Sequence, residues 1–172
     1  MAMTLTELNE LPAEQAAATF TSCCAASRWV EGMVNARPYA SVDSLLQTAH
    51  DIWQTMDEAN LLEAFTAHPK IGDVDSLRAK YANTKAIAAN EQSGANAASE
   101  DVLLGLAAGN TAYEEKFGFI FIVFATGKSA AEMLDLLNAR LPNSRAQELQ
   151  NAADNQMMIT DLRIKKILGL AA

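Results

Sequence analysis

The sequence predicts an all-α protein, a single domain over residues 1–172 built as an irregular bundle of about eight or nine helices. Three observations predict it. Alanine is abundant while β-branched and aromatic residues are comparatively few, which favours helices over strands. Apolar residues recur at helical spacing through most of the chain. The one strand-like run, Phe119 to Ala125, has no partner elsewhere with which to form a sheet. Half of the residues are apolar and 20% are charged, as expected of a chain that buries one core and has no disordered tract.

Pro12 sits at a first helical position with Glu14 behind it, and the helix it opens carries Phe20, Cys23 and Cys24 and fades by Ser27. Ser27 is placed to cap a short helix from Arg28 to Asn35, with Trp29, Val30 and Met33 on one face, and Arg37-Pro38 stops it. Ser41 caps an amphipathic helix whose stripe is Leu45, Leu46, Ala49, Ile52, Trp53 and Met56. His50 lies off the centre of that stripe and reads as structural. Asp57 opens the next helix, with Leu61, Leu62 and Phe65 inward, and its end presents His68.

Pro69 disfavours the helical conformation for His68, so the imidazole is expected at a helix tip beside a turn. Asp73 to Ser76 can cap a short helix over 74–82, and Thr84 the one that carries Glu91. Ser93 to Asn96 is a break within the domain. A helix from Ser99 runs through Leu103, Leu106, Tyr113 and Phe117, with Gly105 and Gly109 on it to allow close packing. Gly118 interrupts, and residues 119–125 are read as a buried helix with an irregular start. Ser129 to Glu132 is a capping box opening a helix that ends near Leu141-Pro142. The last helix starts at Asn143 or Ser144 and ends at Gly169, with Leu149, Ala152, Ile159, Leu162, Ile164 and Ile167 inward. Its 149–158 half is unusually polar. Near its end, Arg163, Lys165 and Lys166 complement the helix dipole.

A formal charge of −8 with no Lys/Arg cluster argues against a nucleic-acid partner, and an anionic substrate would need a local positive site. Cys23 and Cys24 are adjacent and match no disulfide or zinc pattern, which reads as buried thiols in a reducing compartment. No apolar run is long enough to span a membrane, and the first eleven residues carry acids where a secretory signal needs bases. A cytoplasmic location is expected.

His68 and Glu91, each at an element end, suit proton transfer, since both can be tuned to titrate near neutrality. His68-Pro69-Lys70-Ile71-Gly72 followed by Glu91-Gln92 resembles the signature of the 2-oxo-4-hydroxy-4-carboxy-5-ureidoimidazoline (OHCU) decarboxylases of urate breakdown. The resemblance extends to Trp29 and Arg37-Pro38, to Tyr113-x-x-Lys116-Phe117-Gly118-Phe119-x-Phe121-Ile122, and to Leu162-Arg163, in the expected order over most of the chain.

It implies a cofactor-free, all-helical, homodimeric carboxy-lyase that makes (S)-allantoin and carbon dioxide. By the same resemblance His68 and Glu91 are catalytic, Pro69, Gln92 and Arg163 line the site, and backbone groups of Phe119, Ile120, Phe121 and Ile122 hold the ureide. The chain departs from the pattern at Ala88, where many members have a site serine, and at Lys70, where many have arginine. Such a substrate supplies its own electron sink, an imine beside the carboxylate-bearing carbon. Pyridoxal, thiamine and metals are not required, in keeping with the absence of their motifs. Two other readings compete, a non-catalytic helical interaction module and a hydrolase of a neighbouring ureide step. The first leaves the His-Pro turn and acid pair unexplained. The second needs a metal set or triad that the sequence lacks.

Overall fold

The computed structural model describes residues 2–68, 74, 75, 77 and 95–170, with the backbone alone at 95–99. Pro69, Gly72, the Asp73 and Ser76 caps, the stretch 78–82, Thr84, Ala88, Glu91, Gln92 and the Ser93-Gly94 break lie outside the described residues. Those described form eight helices and no strand. They are α1 (Leu5–Glu10), α2 (Ala13–Thr21), α3 (Ser27–Asn35), α4 (Val42–Trp53), α5 (Glu58–Thr66), α6 (Ala95–Phe117), α7 (Ala130–Arg140) and α8 (Arg145–Ile167). None of them is long and apolar enough to cross a membrane. The chain divides into two compact units. One comprises the residues up to His68 with those from Ala153 on, the other Pro69–Ala152.

In the first unit α3 packs on α2, α4 and α5. Trp29, Met33, Leu45 and Phe65 are fully buried, and Phe20 meets the Trp29 ring edge-on at 6.0 Å. Both indoles are polar-satisfied: Trp29 Nε1 donates to the Ala49 carbonyl and Trp53 Nε1 to that of Ala153, each at 3.0 Å. Trp29 is therefore core. The Arg37 guanidinium donates to the carbonyls of Leu8 (3.0 Å) and Leu11 (2.7 Å), and through Nε to Val34 (3.2 Å). It thereby satisfies carbonyls where α1 ends and adds a second donor to the Val34 carbonyl at the end of α3.

Three local expectations change. Helix α1 was not anticipated, although Thr4-x-x-Glu7 is a capping box and forms one, Glu7 N–H on Thr4 Oγ1 at 3.1 Å. Helix α2 stops at Thr21, before the cysteines, as the hydroxyls of Thr19, Thr21 and Ser22 bond back to preceding carbonyls and compete with the helix. Ser27 does not cap α3 but is its first residue. The Glu63 carboxylate of α5 accepts its N–H (2.8 Å) and its hydroxyl (2.6 Å), a stronger acceptor than the serine's own oxygen. Ser41 and Asp57 cap α4 and α5 as expected.

In the second unit α6 packs on α7. A Cβ on Gly109 would stand 2.5 Å from Leu137 Cδ2, so the glycine is what lets these helices approach. Gly118 follows at φ +83°, a conformation that ends α6 at little cost only for glycine. Residues 119–125 are then irregular rather than helical. Their β-branched and aromatic side chains favour neither a helix nor, without a partner, a strand, and side chains take over the backbone's hydrogen bonding. Arg140 Nη1 donates to the Ile122 carbonyl at 2.8 Å, and Lys128 Nζ to that of Phe124 at 2.9 Å.

Candidate active site

Helix α5 is opened by Asp57 and anchored by the buried Ala64 and Phe65, and the chain turns at its end so that His68 N–H reaches the Phe65 carbonyl at 3.1 Å. That turn delivers a half-buried imidazole to α8. His68 Nε2 meets Gln156 Oε1 at 2.5 Å, Gln156 Nε2 donates to Thr160 Oγ1 at 3.1 Å, and the Thr160 hydroxyl bonds the Gln156 carbonyl at 2.9 Å. The Cys23 carbonyl lies 3.4 Å from Thr160 Oγ1 and accepts from Arg163 Nη1 at 3.3 Å. Gln156, Thr160 and Arg163 are spaced four and three apart, so they share one face of α8. Gln156 and Thr160 are each 1% exposed. Buried polar groups must be satisfied internally, and here they are.

Burial lowers the His68 pKa from its ordinary 6.5, opposed by the Gln156 hydrogen bond and reinforced by the Arg163 charge, so the neutral imidazole is favoured at pH 7. The Cys23 and Cys24 thiols are free, and burial pushes both up to about 11. Neither is a thiolate nucleophile at neutral pH. His50 plays a different part: its Nε2 pairs with the Asp161 carboxylate at 2.9 Å. Among the described residues no three His, Cys, Asp or Glu side chains gather as a metal set.

The sequence named His68 and Arg163, and the structure puts both on this network. Arg163 is half-buried and bonded to a carbonyl, not the free surface cation that its place near a helix end suggests. Pro69, Glu91 and Gln92 lie outside the described residues. Phe119 to Ile122 belong to the second unit, where Phe119 and Ile122 are buried. The segment is held there by Arg140, whose guanidinium lies 4.7 Å from the centre of the Phe121 ring.

Arg140 also pairs with Glu148 (Nε to Oε1, 2.7 Å), and Glu148 further accepts from Tyr113 (2.5 Å), Asn143 (2.8 Å) and Asn151 (2.7 Å). This buried pair and the Gln156–Thr160 relay escaped the sequence reading. Their signal in the sequence was slight, since only Gln156 falls in the polar 149–158 half of α8: the buried line of that helix runs through Glu148, Ala152, Gln156, Thr160 and Ile164. The expected apolar positions Leu149 and Ile159 are only half-buried.

Known proteins resemble this chain over most of its length. A family model described as OHCU decarboxylase matches residues 9–165. The uric acid degradation bifunctional protein TTL of Arabidopsis thaliana is 40% identical over 86% of this chain, which spans only 45% of that protein's length. The 2-oxo-4-hydroxy-4-carboxy-5-ureidoimidazoline decarboxylase of Xenopus laevis is 28% identical, covering 94% of this chain and 93% of that one. A crystal structure of OHCU decarboxylase in the presence of (S)-allantoin superposes with a TM-score of 0.68 at 36% identity, over 87% of this chain and 96% of that one. With the matched region taking in nearly the whole sequence, His68 and Arg163 included, the chain belongs to the OHCU decarboxylase family.

Proposed function

We propose that this protein decarboxylates 2-oxo-4-hydroxy-4-carboxy-5-ureidoimidazoline to (S)-allantoin and carbon dioxide in urate degradation, without a cofactor, as a cytoplasmic homodimer. The observation that carries the reading is a neutral, half-buried imidazole at the end of α5, held by α8 in a chain of this family. In the reaction the bond from the ring carbon to the carboxylate breaks and its electron pair moves into the adjacent imine, whose nitrogen takes a proton. The enol left behind becomes a carbonyl as its hydroxyl proton departs, and the ureido-bearing carbon is protonated on one face.

His68 accepts the hydroxyl proton. Glu91 holds the ureido side and relays the proton that sets the stereocentre. Gln92, Pro69 and the backbone of Phe119 to Ile122 orient the ureide, and Arg163 supplies the local positive charge that an anionic substrate needs on an acidic protein.

The test is to mix the purified chain with freshly generated substrate and follow the circular dichroism of the product. A single enantiomer forming faster than the uncatalysed reaction is expected. His68→Asn should fold and lose activity by at least roughly a hundredfold, the usual scale for a lost acid–base group. Product appearing only as racemate at the uncatalysed rate would refute the activity and leave a helical binding module.

A further inference from the structure

We propose that Gln156, oriented by Thr160, is the positioning residue that fixes the tautomer of His68, holding the ring proton on Nε2 and leaving Nδ1 as the proton-accepting atom. The catalytic consequence rests on the function proposed above; the tautomer itself does not. The Thr160 hydroxyl has one proton and lies 2.9 Å from the carbonyl of Gln156, four residues before it on α8, the back-bonding geometry common for a helical threonine. Its oxygen is then an acceptor toward the Gln156 amide, 3.1 Å away, and that contact must be the NH2 end.

The amide oxygen consequently faces the imidazole, and an oxygen without a proton can only accept. Nε2 of His68 therefore carries a hydrogen. A neutral ring with its proton on Nε2 has its lone pair on Nδ1. Among the described residues no hydrogen-bond partner occupies that atom. Gln156 is 1% exposed, so no bulk water offers the amide a second arrangement. The Cys23 carbonyl, at 3.4 Å from Thr160 and 3.3 Å from Arg163, closes the far end of the relay with another group that only accepts.

The sequence contains two histidines, so the ring nitrogens of the full-length protein can be read directly by 15N-histidine NMR, with His50→Asn assigning the spectrum. At pH 7 the wild type is expected to show His68 as the Nε2–H tautomer. Gln156→Leu should mix the tautomers and lower kcat by roughly ten- to hundredfold, the usual range for a lost orienting partner, with KM little changed. Gln156→Glu keeps an acceptor against Nε2, so it should retain the tautomer while moving the acid limb of the kcat–pH profile to higher pH. Thr160→Val, which removes the hydroxyl that orients the amide, should mix the tautomers as Gln156→Leu does.

Observation of the Nδ1–H form in the wild type would overturn the inference. So would a folded Gln156→Leu that keeps the Nε2–H form. If Gln156→Leu does not fold, Thr160→Val and Gln156→Glu decide the matter in the same way. An Nε2–H His68 in a chain that does not decarboxylate the ureide would sink the proposed function and leave the tautomer assignment standing.

Discussion

Replacing Glu148 with leucine removes a carboxylate that is 0% exposed, and the consequence can be worked from its partners. Among the described residues Arg140 would keep hydrogen bonds to the Ile122 carbonyl at 2.8 Å and the Tyr113 hydroxyl at 3.2 Å, neither of them charged, and its place over the Phe121 ring. Stripping one partner from a buried ion pair costs about 3–5 kcal/mol, because the other charge is left without its counterion. The donors on Asn143 and Asn151 are only part-buried and turn to water, so their bonds to Glu148 do not add in full.

Arg140→Leu should cost less, about 1.5–3 kcal/mol, since Glu148 still accepts from Tyr113, Asn143 and Asn151. The double variant should be more stable than the sum of the two single changes predicts, by about 1 kcal/mol or more. Urea unfolding at pH 7, with an unchanged m-value, measures all three. Strict additivity, or a Glu148→Leu within about 0.5 kcal/mol of wild type, would refute the buried pair.

The pH dependence has a definite sign. Burial alone would raise the Glu148 carboxyl, but bonds from Asn143, Tyr113, Asn151 and Arg140 hold it below the ordinary 4.5. The stabilisation is therefore present above pH 4.5 and is lost as the pH falls further. The gap between wild type and Glu148→Gln should close over that acid range.

Arg163→Gln should lower kcat/KM by about 1.5–3 kcal/mol, roughly ten- to hundredfold or somewhat more, with Arg163→Lys restoring only part. Lys165→Gln and Lys166→Gln serve as controls, and equal losses at all three positions would make Arg163 a general charge effect. Because burial holds the His68 pKa below 6.5, kcat/KM should be level near pH 7 and fall on the acid side with a midpoint below that value. A midpoint above 6.5 would mean that an imidazolium is the working form. Gly109→Ala gains about 1 kcal/mol of helix propensity but forces a methyl within 2.5 Å of the buried Leu137, an overpacking that costs about 1–3 kcal/mol. Thermal unfolding should show it less stable than Gly105→Ala, where the contact is 3.0 Å to the half-buried Leu134; the reverse order would show that α6 and α7 adjust freely.

The sequence alone determined the helical class, and it did so through local physics. Ser41, Asp57 and Ser129 each accept a backbone N–H at the helix start that their side chains announce. Pro69 after His68 was enough to expect the imidazole at the end of a helix, where α5 presents it. The family motifs named His68 and Arg163 before any contact was known.

What only the tertiary structure decided are the matters settled by long-range partners. Ser27 loses its capping role to Glu63, thirty-six residues away. Residues 119–125 become an irregular segment because Arg140 and Lys128 satisfy carbonyls that a helix would otherwise have bonded. The 149–158 half of α8 is polar in sequence, and the fold buries one of its polar side chains, Gln156, together with Glu148 and Thr160 on either side of it. A glutamate, a glutamine or a threonine can enter a core only where a matching donor or acceptor waits. Whether Arg140 stands ready for Glu148, or His68 for Gln156 across eighty-eight residues, is a fact of the assembled chain and not of any window of it.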